Sequence, residues 1–449
     1  MDQDLRTALA RLDEAGQLRR VDEEIDSEFE AAAALWMWRH GPAVQFDRVV
    51  GSSVPIVGNL LNTRDKLATS MGWDPALQQE HLIAALDRPI APEVAGSESA
   101  LQTMEFDPQA DPSDHFPIPV VSEHDGGRYI SAGVIVTRSP ETGRRNFAIA
   151  RLQARRGQLG VYFAPTHSRR VLEECRERGI PMDVAIAIGL PPAWMAASQF
   201  LTPLDEAQIA GGIYREPAHL VRCATVDLEV PYGAEIVLEG RIDPNATEIE
   251  GPFGEFPGTY AAPRHNPVIT LTRVASRPDP IFQMIVGGRH PEHLITGAVA
   301  REAGLLRAIR EVVPGARRLV LSEGGTSRFH AIIGITKRFE GEGRLTITSA
   351  MSQQDLIKHV IVVDDDIDIS DPSDVEWAIA TRFRADRDLF VIPGAKSNPV
   401  DPMAEGGTVA KMGLDATLPV RQPGERREQV GVPADIALRV QDRLGKVDE

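Results

Sequence analysis

The chain has 449 residues, 42% of them hydrophobic, which is enough to bury substantial cores in two or three domains. Its net charge of -17, with no long basic stretch, excludes a polynucleotide partner, because phosphate recognition needs a basic face. Only six of the 48 basic residues are Lys, a skew that reflects genome composition but makes each lysine worth inspecting, Lys411 above all. Cys175 and Cys223 form no spaced metal or redox motif and read as reduced thiols. The N-terminus lacks a basic-then-apolar signal segment, and no apolar run approaches the roughly 20 residues that a membrane span requires. A cytoplasmic protein with no membrane partner is expected.

The predicted elements give a mixed α/β (α+β) chain. Residues 1–115 read as an N-terminal α/β domain: an amphipathic stripe of Leu5, Leu9, Leu12 and Leu18 precedes a helix-like run from Ala31 to Met37. Four prolines between Pro108 and Pro119 mark a linker. Residues 116–285 then alternate β-branched runs with turns: Gly133 to Thr137, Phe147 to Leu152, Val161 to Ala164, Ala185 to Ile188, Glu235 to Gly240 and Val268 to Ala275. That pattern predicts a central β-barrel. A segment near 286–310 returns to the first domain. Residues 311–449 form a C-terminal α/β domain, with strands near Leu319 and Ile332 and a helix ending near Met351. A strand from His359 to Val363 and a helix from Pro372 to Arg384, capped by Ser370 or Asp371, follow. A final helix from Ala434 to Leu444, after a Pro/Gly/Arg-rich stretch, packs either on a partner subunit or on its own domain.

The most informative segment is Glu250-Gly251-Pro252-Phe253-Gly254-Glu255, two carboxylates at the ends of a turn built from Gly, Pro and Phe. Gly251 and Gly254 permit positive φ and Pro252 fixes its own, so both acids sit on a stiff frame. Phe253, Phe256 and Pro257 supply apolar surface that desolvates a carboxyl and lifts its pKa toward general-acid range. An acidic surface loop is the bland alternative, but it rarely concentrates two acids, four Gly/Pro and two Phe in eight positions.

Upstream, Asn146-Phe147-Ala148-Ile149-Ala150-Arg151 places an amide and a guanidinium at opposite ends of a predicted strand, and His167 and Glu206 follow in loops. Asn, His and Glu suit Mn²⁺ or Mg²⁺ bound together with a phosphate. Taken singly, each also reads as a buried Asn satisfying backbone, a core His or a solvated Glu. The run Asp364-Asp365-Asp366 reads as a solvated turn rather than a metal site.

Together these motifs resemble the UbiD-type decarboxylases that use prenylated flavin mononucleotide, over nearly the whole chain. The resemblance implies that Asn146, His167 and Glu206 are metal ligands. Arg151, Glu250 and Glu255 would be the Glu-Arg-Glu catalytic network, with Glu255 as the proton donor and Glu250 as the partner that orients Arg151. Lys411, in Lys-Met-Gly-Leu-Asp-Ala-Thr, matches a lysine near the cofactor. Phe147, Thr166, Ala197, Ser198 and Phe200 fall in cofactor-binding segments, the carbonyls near the last three suiting K⁺. The cofactor would be prenylated FMN, clamped through Mn²⁺ or Mg²⁺ and supplied by a flavin prenyltransferase. It serves as electron sink for the charge left when CO₂ departs.

Within that family, His293 in Gly287-Gly288-Arg289-His290-Pro291-Glu292-His293, with Arg301 eight residues on, looks like the members acting on furan, pyrrole or indole carboxylates. The alternative for Arg301 is a helix-surface pair with Glu302 or Glu311. Phenolic, benzoic or cinnamic acids are the alternative substrates. A split-barrel flavin reductase or simple flavin-binding protein shares the β-rich middle without needing Arg151, Glu250 and Glu255. A retaining glycosidase also uses two carboxylates, but needs no metal-phosphate set and favours more than 5% aromatics. The resemblance also implies a homodimer or dimer-based hexamer.

Overall fold

The computed structural model describes residues 3–95, 103–420 and 430–444. At its start, the Asp4 carboxylate accepts from the Thr7 amide and caps the helix Leu5–Glu14, whose Leu5, Leu9 and Leu12 are buried. Gly16, at φ 68°, then turns the chain out of the helix. Leu18, expected on the same stripe, therefore opens the strand Leu18–Val21 instead. That strand pairs in parallel with Ala43–Phe46, which is antiparallel to Ile56–Gly58. Phe282–Gln283 completes this four-stranded sheet from far along the chain.

The central β-branched runs close on themselves. Tyr129–Arg138, Arg145–Arg155, Gln158–Val161, Arg264–Ser276, Ile236–Glu250 and Met182–Ile188 pair in that order, each antiparallel to its neighbours. The first and last also pair, closing a six-stranded barrel. Closure removes the free edges that an open sheet would expose. The run expected from Val161 to Ala164 is a strand only up to Val161, its body lying upstream at Gln158. Two findings modify the linker reading of 108–119. Met104–Phe106 already pairs with Arg264–Ser276, and Phe116 and Ile118 are buried in the core beside the barrel. The prolines there shape a capped turn, Pro112–Asp114, within packed chain.

Leaving the barrel, the chain enters the helix Pro291–Val312, whose apolar residues are buried almost all round. Such a helix runs through a core rather than over a surface. The C-terminal sheet has the order Ala316–Leu321, His330–Ile335, His359–Asp364, Thr408–Ala416, Leu389–Lys396, with the middle three strands parallel. The helix Pro372–Arg382 is capped by Asp371, which accepts from the Ser373 amide, and it stops two residues short of Arg384. Arg382 forks across Asp364 and Asp366, so that acidic turn is a partly solvated ion-pair cluster. The last helix spans Ala434–Leu444 and leaves Ile436, Leu438 and Leu444 exposed rather than packed on its own domain. Most of the Pro/Gly/Arg-rich stretch before it lies outside the described residues. Among the described residues no helix is long and apolar enough to cross a membrane.

Candidate active site

Glu250 is the last residue of the strand Ile236–Glu250, held in register opposite Arg264, and it is 1% exposed. Four donors surround it. Tyr129 Oη and Arg151 Nε reach Oε1, each at 3.2 Å, while Asn266 Nδ2 at 2.8 Å and Arg151 Nη2 at 3.2 Å reach Oε2. Such a shell satisfies an ionised carboxylate, which is acceptor-only. Gly251 takes φ 98°, as its position in the turn requires, whereas Gly254 does not use the left-handed region. Phe253–Gly254 instead forms a short strand against Tyr260–Ala261.

Glu255 emerges from this turn against the remaining face of Arg151, whose Nη1 donates to its Oε1. Among the described residues it has no Tyr or Asn donor. Burial pushes its carboxyl above the usual range and nearby Glu250 adds to the shift, with Arg151 opposing both. The two acids therefore share one guanidinium but differ in everything else around them. Arg151 itself lies between aromatic rings, its Cζ 4.8 Å from the Tyr162 centroid and 5.3 Å from that of Phe253. The turn is braced by a second loop: Gly126 donates its amide to the Pro252 carbonyl and Asp125 accepts from the Gly254 amide. An added Cβ at Gly126 would run into the Gly251 carbonyl, so this close approach needs glycine.

The strand Arg145–Arg155 carries both Arg151 and Asn146. Five residues of strand separate them, roughly 16 Å at about 3.3 Å per residue. At the Asn146 end, its Oδ1 lies 3.2 Å from His167 Nδ1 and its Nδ2 donates to Ser168 Oγ. His167 opens the helix His167–Arg178, and Glu206 opens the helix Glu206–Tyr214, accepting from the Phe147 amide at 3.0 Å. Asp205, beside it, is fixed by Arg145 at 2.8 Å. Burial pushes the Glu206 carboxyl up to about 8, and burial with Arg144 and Arg170 keeps His167 toward its neutral form. A buried acid with no cation bonded to it, a neutral imidazole and an amide oxygen form a donor set that fits a hard or borderline divalent ion. Among the described residues no group of three His, Cys, Asp or Glu could hold a metal, so Asn146 is essential to any such set.

A cavity of about 240 Å³ runs between the two ends, bordered by Thr166 and Ser168 on one side and by Arg151, Phe253 and Glu255 on the other. His293 lines it too, its Nδ1 3.1 Å from the Gly288 carbonyl and its pKa brought down to about 4 by burial. Arg301 does not. It lines a second cavity of about 510 Å³ with Lys411, Leu201 and Asp355, and its buried Nε has no acceptor among the described residues. The surface pairs considered for Arg301 are not formed: Glu302 takes Arg64 at 2.6 Å and Glu311 faces Arg307. Lys411 Nζ donates to the Gln354 carbonyl at 3.3 Å. Ala197, Ser198 and Phe200 are buried just beside the first cavity, where Gln199 reaches its wall. The Ala197 carbonyl accepts the Phe200 amide and the Ser198 hydroxyl donates to Met195. Tyr129, Asn266 and Arg328 were not singled out in the sequence. Each sits in or next to an apolar strand or loop with no motif of its own.

Known proteins fit this geometry. Family models match over most of the chain: the 3-octaprenyl-4-hydroxybenzoate carboxy-lyase N-terminal domain over residues 9–86, its Rift-related domain over 94–290 and its C-terminal domain over 294–416. Anhydromevalonate phosphate decarboxylase of Methanothermobacter thermautotrophicus is 37% identical over 408 residues, covering 89% of this chain and 94% of that protein. The UbiD-class enzyme HmfF of Pelotomaculum thermopropionicum, solved with FMN, superposes with a TM-score of 0.93 at 39% identity, covering 98% of this chain and 99% of that one. An evolved dimeric form of HmfF, solved with prFMN, gives 0.89 at 36% identity, covering 98% of this chain and 100% of that one. With three consecutive domain matches and relatives above 30% identity over most of its length, the chain belongs to the UbiD family of carboxy-lyases.

Proposed function

We propose that this decarboxylase removes CO₂, reversibly, from a small heteroaromatic carboxylic acid of the furan, pyrrole or indole type, with prenylated FMN as cofactor. The observation that carries this reading is one guanidinium shared by two unequal glutamates on a cavity that also reaches Thr166 and Ser168, the latter accepting from Asn146, which lies beside His167. Those three would hold Mn²⁺ or Mg²⁺ against the flavin phosphate, and the strand from Asn146 to Arg151 would run alongside the cofactor. When bound, the prenylated flavin supplies the electron sink that no side chain offers.

The chain's own residues do the rest. Arg151 stays planar between Tyr162 and Phe253 and orients the substrate carboxylate with the N–H groups of its fork that neither Glu250 nor Glu255 engages. Glu250 accepts from Tyr129 and Asn266 and holds Arg151 in place. Glu255, whose carboxyl burial pushes above its usual range, gives a proton to the ring carbon after CO₂ leaves. His293, kept neutral, faces the ring. Exposed Ile436, Leu438 and Leu444 on the last helix support a homodimer in which that helix packs on a second copy.

A second reading, an unsaturated acid bearing a phosphate, is favoured by the identity to anhydromevalonate phosphate decarboxylase. The experiment is turnover of furan, pyrrole, indole and phenolic carboxylates and of a phosphorylated alkenoic acid. The protein would be produced with and without a flavin prenyltransferase. Turnover of a heteroaromatic acid that depends on the prenyltransferase is the expected result. Zero turnover of the heteroaromatic acids by cofactor-loaded protein would overturn the proposal.

A further inference from the structure

The helix Pro291–Val312 begins with a buried carboxylate that the mechanism above does not use. Glu292 is 1% exposed and stands one residue before His293, which lines the 240 Å³ cavity. The backbone of the N-terminal domain satisfies it: Oε2 takes the Asn59 amide at 2.7 Å, and Oε1 takes those of Leu60 at 2.6 Å and Leu61 at 3.3 Å. Three successive amides converge because Asn59, just after the strand Ile56–Gly58, turns left-handed at φ 60°. Asn59 secures that turn by donating from Nδ2 to the Leu35 and Trp38 carbonyls, each at 3.1 Å.

Behind this amide pocket stands a buried cation. Lys66, 2% exposed, donates to the Gly41 carbonyl at 2.7 Å, to the Asn59 carbonyl at 2.9 Å and to Asn62 Oδ1. The Asn59 carbonyl and the Leu60 amide belong to one peptide group, so Lys66 and Glu292 hold the same peptide from opposite ends, and each bond polarises the other. The contacts on the far side of Glu292 lead to the reacting centre. His290 caps the helix, accepting the Glu292 amide on Nδ1 at 3.2 Å. His293 Nδ1 faces the Gly288 carbonyl, which can only accept, so that nitrogen carries the proton and Nε2 is the acceptor of the ring. The Gly288 amide donates in turn to the Gly254 carbonyl at 3.2 Å, next to Glu255. His293 is thus tied on one side to the turn that carries Glu255 and on the other to a glutamate anchored in a different domain.

We infer that Glu292 is a positioning residue for the reaction: seated in the amide pocket of Asn59, Leu60 and Leu61, it fixes the first helical turn and with it the tautomer and direction in which His293 meets the substrate. Its effect on turnover rests on the decarboxylase reading above, whereas its hold on His293 does not.

The test begins with the imidazole itself, by nitrogen NMR of histidine-labelled protein without cofactor, the His293 signals being assigned by their loss in His293→Asn. In wild-type protein that ring is a single Nδ1–H tautomer that titrates at about 4. Glu292→Gln sets an amide NH₂ group against backbone donors, so the first turn loosens. The His293 ring then exchanges between tautomers and titrates near its ordinary value of about 6.5. Asn59→Gly keeps the left-handed turn and the three amides but loses both side-chain anchors. It gives the same change in smaller measure, and it decides the matter should Glu292→Gln not fold. For whichever acid the activity panel turns over, Glu292→Gln lowers kcat/KM ~10- to 100-fold, the effect of a small misplacement at the reacting centre. In a His293→Ala background the same substitution costs less than about twofold, because the two residues act as one unit. His293 signals unchanged in the variants, or a loss in kcat/KM of equal size with and without His293, overturn the inference. A panel with no turnover, alongside the expected change at His293, refutes the decarboxylase reading and upholds the hold of Glu292 on His293.

Discussion

Replacing Arg151 by Met is the sharpest test of how the two glutamates are held. The substitution keeps a long apolar side chain between Tyr162 and Phe253 but removes all three hydrogen bonds to Glu250 and Glu255. Glu250, 1% exposed, retains Tyr129 and Asn266; Glu255 retains no side-chain donor among the described residues, only the more distant charge of Arg264. Breaking a buried pair from one side costs about 3 to 5 kcal/mol. Part of that cost depends on pH. Glu255 already has a raised carboxyl pKa with Arg151 present, and Arg151 is its main opposing influence, so the folded-state value rises further in the variant. A carboxyl with a raised folded pKa stabilises the fold fully below its unfolded pKa, near 4.3, and loses that contribution as pH climbs through the folded pKa. The destabilisation of Arg151→Met is therefore smaller at pH 5 than at pH 8, by about 1.4 kcal/mol for each pKa unit of further upward shift. Urea unfolding midpoints of wild-type and variant protein, without cofactor and followed by intrinsic fluorescence at both pH values, measure it. A penalty that is equal at the two pH values, or larger at pH 5, refutes the reasoning.

Two further predictions concern the separate ends of the cavity. Glu255→Gln keeps the shape of the side chain and removes the proton, so exchange of solvent deuterium into the product carbon falls by about 10²- to 10⁴-fold while flavin stays bound; unchanged exchange removes Glu255 from the acid role. His167→Ala deletes one donor of the Asn146 and Glu206 set. Metal content by elemental analysis and flavin retained through gel filtration both drop, whereas full retention of both counts against the clamp.

Much of this architecture is legible in residue order because the signals are local. The Gly/Pro frame between Glu250 and Glu255, the Asp371 cap and the β-branched runs of the barrel each carry their information within a few positions. What escapes is set by tertiary approach. Tyr129 looks like the first core residue of a strand, and only the fold shows its hydroxyl on Glu250. Asn266 lies 16 residues from Glu250 and meets it because the antiparallel register brings Arg264 opposite. Arg328 sits in a loop rich in Gly and Ser, and its place on the wall of the cavity is a property of space rather than of sequence. Arg301 shows the converse. Eight residues along a helix from His293 suggested a shared target, yet the two side chains open onto different cavities.

That last separation follows from the helix Pro291–Val312 itself. At about 1.5 Å and 100° per residue, His293 and Arg301 stand roughly 12 Å apart along the axis and roughly 80° apart around it. A single buried rod thus forms a party wall, with the candidate reaction chamber on one side and the chamber of Lys411 on the other. Any roll of the rod that improved the fit of a ring against His293 would swing Arg301 through the same arc. The two chambers cannot be retuned independently by shifting the wall; they can be altered separately only by exchanging the side chains set into it.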